Sequence, residues 1–162
     1  MRIEDSVVAV TGGASGLGEA VARRCIDQGA AGVAILDVNA DAATSLASEL
    51  GDRAFALPCD VRQPSDVTQA MSTMAEKFGR LNLAVSCAGV GWAERTLAKD
   101  GSPADLDAYR RIIEINLIGT YDFARQVVAD VVADAITSDG TSIGAHSSST
   151  SIRRPTRRWA SG

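Results

Sequence analysis

Glycines at Gly12, Gly16 and Gly18, in the run TGGASGLG from Thr11 to Gly18, sit directly after an apolar stretch, VVAV. A helical pattern with Ala20, Val21, Cys25 and Ile26 follows. Glycine has no Cβ, so the chain can turn at positive φ and an anion can approach the backbone closely. A helix starting at the turn points its free N–H groups and the positive end of its dipole at that anion. The chemistry of such a segment is phosphate binding, with Thr11, Gly12, Ser15, Gly16, Leu17 and Gly18 as candidates. A glycine turn with a strand before it and a helix after it is a far better dinucleotide signal than glycines alone. Asp37 follows Gly18 by nineteen residues, in ILDVN. A carboxylate near that separation accepts hydrogen bonds from the adenosine ribose and repels a 2′-phosphate, which favours NAD over NADP. The plainer reading of Asp37 is a solvated cap of the next helix.

The elements that must position these residues alternate along the chain. Val7–Val10, Val33–Leu36, Ala54–Leu57 and Leu83–Ser86 read as strands. Leu17–Gln28, Ala40–Leu50 and Ser65–Phe78 read as helices, the last with Val67, Ala70, Met71, Met74 and Phe78 at helical spacing and Ser65 as its N-cap. Strands alternating with helices of this length imply an α/β, Rossmann-type doubly wound parallel sheet, with ligands at the C-terminal ends of its strands. Pro103–Ile136 reads as helix, in one or two pieces. Its stripe of Ile113, Leu117, Tyr121, Ala124, Val128, Val131 and Ala135 requires a cover. After Ile136 the composition changes: of the 26 residues 137–162, eleven are Ser or Thr and four are Arg. No fifth strand follows, so the sheet is expected to be incomplete at its C-terminal side. The chain divides into residues 1–136, an NAD-binding domain, and 137–162, a Ser/Thr/Arg-rich tail that reads as disordered.

Composition narrows the function classes. The 162 residues are 46% hydrophobic and 22% charged, ordinary for a globular domain, with a net charge of −4. An acidic chain gives no reason to expect nucleic acid or an anionic membrane as partner, and the RRPTRR segment reads as a solvated tail. Three cysteines (Cys25, Cys59, Cys87) and one histidine (His146) lack metal-ligand spacing, so no metal is expected. No apolar run reaches transmembrane length and no signal peptide is visible, so a cytoplasmic protein is expected.

Further motifs make the resemblance specific. TGGASGLG resembles the TGxxxGxG cofactor loop of the short-chain dehydrogenases/reductases. Asp60–Val61 resembles that family's adenine-contacting step after the third strand. SCAG, from Ser86 to Gly89, is similar to its NNAG motif, with Ser86 and Cys87 in place of the asparagines and Ala88–Gly89 retained. Asn116 in IEINLIGT matches the asparagine of the family's long helix. The resemblance spans about residues 5 to 136 and extends to the 3-hydroxyacyl-CoA dehydrogenase branch. It implies a hydride transfer between a secondary alcohol and NAD. It also implies adenine contacts from Asp60 and Val61, cofactor contacts from Ala88 and Gly89, and a water-linked proton relay organised by Asn116. Plainer readings stand beside these roles: Asp60 caps a turn, Ala88–Gly89 pack beneath the loop, and Asn116 satisfies backbone groups at a helix kink. Cys87 reads as a buried small hydrophobe.

The same resemblance exposes a gap. The family's proton-transfer pair is Tyr-x-x-x-Lys. The only tyrosines are Tyr109 and Tyr121, neither followed four residues later by lysine, and no lysine follows Lys99. Tyrosine's ordinary pKa is about 10, so without a nearby cation it is a poor base at neutral pH. The expectation is a cofactor-binding half without proton-transfer machinery, consistent with a shifted or prematurely ended reading frame after residue 136. The alternatives are a non-catalytic NAD-binding module, or an interaction protein using the apolar long helix. A homo-oligomer, possible for the full-length family, is doubtful for this chain.

Overall fold

The computed structural model describes residues 2–91, 93 and 95–138, with side-chain surroundings as far as residue 130. The tail 139–162, including His146 and RRPTRR, lies outside the described residues.

Four strands, β1 (Val7–Thr11), β2 (Gly32–Asp37), β3 (Ala54–Pro58) and β4 (Leu83–Ser86), form one parallel sheet in the order β3-β2-β1-β4. Three helices connect them: α1 (Gly16–Asp27), α2 (Ala40–Leu50) and α3 (Pro64–Phe78). The observed ranges extend three of the four expected strands by a residue or two and start α1 one residue earlier. Near-continuous apolar runs are what a parallel strand covered on both faces demands. Alternation sorts them. Val8, Val10, Val33 and Ile35 pack with Ala22, Cys25 and Ile26 of α1 and with Ala43 and Leu46 of α2. Val7, Ala9, Ala34 and Leu36 point the other way, onto Val67, Met71 and Met74 of α3 and onto Phe123. Each fully buried Val, Leu or Ile contributes about 1.5–3 kcal/mol relative to exposure. The register sets Val10 opposite both Ile35 and Val85, so β1 is the central strand around which the layers assemble.

Among the described residues, β4 is an edge strand. Its Leu83, Ala84 and Val85 are only half-buried, while the β1 side chains they flank are fully buried. The expectation of an exposed edge at this side of the sheet therefore agrees with the described residues.

Two local expectations need correction. Ser65 is not the N-cap of α3. The cap is Gln63, because Pro64 takes the first helical position, where its missing N–H costs nothing. The long helical region comes in pieces, as one reading allowed, but its expected stripe is not a continuous buried face. It comprises α4 (Leu106–Ile113), a π turn (Glu114–Gly119) and α5 (Thr120–Ser138). Pro103 lies before it, in an isolated bridge with Leu97. A π turn adds one residue to the helical repeat and rotates everything beyond it by about 100° relative to a plain α-helix. The face that meets the body of the protein carries Gly119, Asp122 and Phe123, while Leu117 (62%), Tyr121 (69%) and Val128 (61%) of the expected stripe lie exposed. Among the described residues, no helix is long and apolar enough to cross a membrane.

The layered packing makes β2 a sensitive test. Ile35→Val should lower unfolding free energy by about 0.5–1.5 kcal/mol and Leu36→Ala by about 2–5 kcal/mol. Urea denaturation followed by circular dichroism reads both.

Candidate functional site

At the C-terminal ends of the strands lies a cleft of about 610 Å³. Its lining brings together most of the residues singled out above: Gly12, Ser15, Gly16, Leu17 and Gly18 from the glycine turn, Asp37 from β2, Asp60 and Val61 after β3, and Ala88 and Gly89 after β4. Thr11 and Asn116 are not in the lining; each hydrogen-bonds a residue that is, Ala88 and Val90 respectively.

The glycine turn owes its shape to two kinds of constraint. Gly12 (φ +63°) and Gly16 (φ +55°) adopt the left-handed conformation. Gly12 and Gly18 are also held by contact. A Cβ on Gly12 would stand 2.6 Å from Ala88 N, and one on Gly18 only 2.0 Å from the Gly12 carbonyl oxygen. A Cβ on Gly16 would meet nothing within 4 Å, so the turn is open there, beside the start of α1. Ser15 caps α1 by position but makes no side-chain cap bond. By helix geometry the N–H groups of Gly16, Leu17 and Gly18 have no partner within α1.

Thr11 is fully buried. Its Oγ1 accepts from Ala88 N–H at 3.3 Å and lies 3.4 Å from Ser86 Oγ, tying β1 to the segment after β4. Asp37 bridges elements too. Its Oδ2 accepts from Ala14 N–H at 3.0 Å and its Oδ1 from Asn39 N–H at 2.9 Å. The capping role belongs to Asn39, whose side chain accepts from Ala42 N–H at the start of α2. Each Asp37 oxygen keeps a second acceptor position, since an ionised carboxylate offers about four.

Asp60 is engaged by Arg62. Its Oδ1 accepts from the Arg62 N–H at 3.0 Å, and its Oδ2 forms an ion pair with Arg62 Nη2 at 2.5 Å. The guanidinium bonds hold the Asp60 carboxyl below the usual carboxylate range. Cys59 beside it is buried. Burial first, then the charges of Asp66, Asp60 and Asp37, push its thiol up to about 12, so it stays protonated at neutral pH. Cys87 is half-buried and lines the cleft, a correction to the buried position expected for it. Among the described residues, no group of His, Cys, Asp or Glu is placed to hold a metal ion.

Asn116 does satisfy backbone groups, but those of another segment. Its Oδ1 accepts from Val90 N–H at 2.9 Å and its Nδ2 donates to the Val90 carbonyl at 2.8 Å. Six further lining residues escaped the motif reading: Val38, Cys59, Arg62, Val90, Arg111 and Ile115. Arg111 lies in α4 and Ile115 in the π turn that follows, and only the tertiary path of the helix brings both to the cleft.

The order β3-β2-β1-β4, the glycine turn after β1 and the acidic residue at the end of β2 define an α/β protein of the Rossmann type. The sequence pattern of the short-chain dehydrogenases matches residues 6–154. Among relatives, 3-hydroxyacyl-CoA dehydrogenase type-2 of Drosophila melanogaster is 40% identical over 139 residues, covering 85% of this chain and 54% of the relative. The Homo sapiens protein of the same name is 37% identical over 130 residues, 80% of this chain and 49% of the relative. The crystal structure of 3-hydroxyacyl-CoA dehydrogenase type-2 from Mycobacterium avium superposes with a TM-score of 0.72 at 41% identity, over 80% of this chain and 50% of that one. A 3-ketoacyl-(acyl-carrier-protein) reductase from Brucella melitensis, complexed with NADH, gives 0.74 at 29% identity, over 86% and 55%. This chain belongs to the short-chain dehydrogenase family, and it spans about half the length of the curated relatives it matches.

The Asp60–Arg62 pair generates a pH prediction. A carboxyl held below its unfolded value of about 3.9 contributes stability above that pH and loses it as pH falls through the folded value. Arg62→Gln should return the Asp60 titration upward toward 3.9, read by carbon-detected NMR of the carboxyl. An unmoved titration would show that the guanidinium is not the cause.

Proposed function

We propose that residues 1–136 bind NAD in this cleft, as the cofactor half of an oxidoreductase acting on a secondary alcohol, of which a 3-hydroxyacyl-CoA is the favoured class. The observation that carries the cofactor reading is the open glycine turn at Gly16, facing the same cleft as Asp37. The unpartnered N–H groups of the first turn of α1 suit a pyrophosphate, with Ser15 beside them. Asp37 has acceptor positions left for ribose hydroxyls, and its charge disfavours a 2′-phosphate. Asp60 and Val61 would flank the adenine, and Ala88 and Gly89 the nicotinamide side. NAD, when bound, supplies the hydride acceptor. The name of the NADH-bound Brucella melitensis relative supports the same cofactor.

Turnover is a separate matter. These 162 residues contain no Tyr-x-x-x-Lys pair. Without a positioned acid–base group a dehydrogenase loses about 10²–10⁴ in rate. Asn116, in the proposal, serves the cleft by holding Val90 and leaves proton transfer without a group to perform it.

Calorimetric titration should show saturable NAD binding by the 162-residue chain, with NADP weaker. Asp37→Ala should weaken NAD by roughly 10- to 100-fold, as loss of charge-assisted hydrogen bonds worth about 1.5–3 kcal/mol implies. NAD should also slow alkylation of Cys87, which lines the cleft, and leave the buried Cys25 and Cys59 protected throughout. Absence of NAD binding would sink the cofactor reading. NADH production from a 3-hydroxyacyl-CoA by the purified chain would overturn the expected lack of turnover.

A further inference from the structure

The π turn Glu114–Gly119 touches both walls of the cleft. Single π turns inside α-helices concentrate at functional sites because they re-aim the residues around them. Within this one, Asn116 makes its paired hydrogen bonds to Val90, on the segment following β4. At its last residue, a Cβ on Gly119 would stand 2.8 Å from Val61 Cγ2, 2.9 Å from the Val61 carbonyl oxygen and 3.0 Å from Val61 Cβ. Val61 follows β3. Strands β3 and β4 are the two edges of the sheet, with β2 and β1 between them. Val61 and Val90 both line the cleft, yet no strand pairing joins the segments that carry them. The turn's first residue, Glu114, is also close enough to Arg62 to favour its charged form.

We propose that the π turn is a brace that fixes the separation of the two cleft walls, with Asn116 and Gly119 as its positioning residues. Asn116 and Gly119 lie three residues apart within the turn, so its geometry sets the two contacts relative to one another. Glycine is demanded at 119 because the obstacle is partly backbone, the Val61 carbonyl, which cannot swing aside as a side-chain tip can. The consequence for nucleotide rests on the reading above: a dinucleotide spanning from Asp60–Val61 to Ala88–Gly89 would meet walls of preset spacing. The brace itself does not depend on that reading.

Hydrogen exchange by NMR on the whole chain, without nucleotide, tests the brace. Three amides report: Val90 N–H, bonded to Asn116 Oδ1, and Arg62 and Gln63 N–H, bonded to the Asp60 side chain and carbonyl. Gly119→Ala should speed exchange at all three by about tenfold or more, the scale of an overpacked contact. Asn116→Ala should do the same, although its side chain touches only the Val90 wall. Adding Val61→Ala to Gly119→Ala should restore part of the protection at Val90 as well as at Arg62. Effects confined to the wall each residue touches would overturn the proposal. Should Gly119→Ala not fold, Asn116→Ala decides it: unchanged exchange at Arg62 and Gln63 refutes the brace. NAD titration of the same samples keeps the readings apart, since unliganded exchange can follow the brace pattern in a chain that binds no NAD.

Discussion

Backbone rests on backbone where the turn after β1 meets the start of α1 and the segment after β4. The Gly12 carbonyl occupies the space where a Cβ on Gly18 would stand, and Gly12 itself faces the Cys87–Ala88 peptide without room for a methyl group. Close packing leaves such contacts no slack. The glycine turn, Asp37 and the Cys87–Ala88 segment of the cleft are referred to this one junction. Thr11 fastens it from beneath through Ala88, and Asp37 fastens it from the side through Ala14. This side of the cleft is therefore built into the ends of β1 and β2.

Its two carboxylates are held in contrasting ways. Asp37 accepts backbone N–H groups from two different segments, so its position reports the geometry of the turn. Asp60 is held within its own short segment, by the Arg62 backbone N–H and by the flexible Arg62 guanidinium. Groups preorganised by rigid elements pay less to bind than groups that must first be released. The Asp37 end of the cleft is thus the better prepared of the two.

Much of the fold was legible because its signals are local. Apolar runs such as VVAV and VAIL announced strands covered on both faces, and the glycine turn and Asp37 lie within thirty residues of one another in the chain. Two misjudged details share a cause. Ser65 is a good N-cap residue in isolation, but Pro64 before it takes the first helical position and moves the cap to Gln63. The stripe from Ile113 onward assumed an unbroken 3.6-residue repeat, and a π turn leaves no mark in a periodicity count. Val90, Arg111 and Ile115 were invisible for a different reason. Nothing about their types is unusual, and only the tertiary path of the helix brings them to the cleft. Cys87 was misplaced because small apolar surroundings, read from SCAG, do not tell which side of the strand end faces the opening.

The strand order carries a consequence for how such a chain is made. β1 pairs with β2 across about 25 residues of sequence, but with β4 across 75, Val8 opposite Leu83. During synthesis at roughly 5–20 residues per second, β1 therefore waits several seconds with one flank unpaired. Its residues are among the most apolar of the chain, and an unpaired apolar strand is a template for association with other chains. When β4 arrives, it closes that flank and, among the described residues, becomes the new edge. Among the described residues, the half-buried Leu83–Val85 ribbon then carries the hazard that β1 has just escaped.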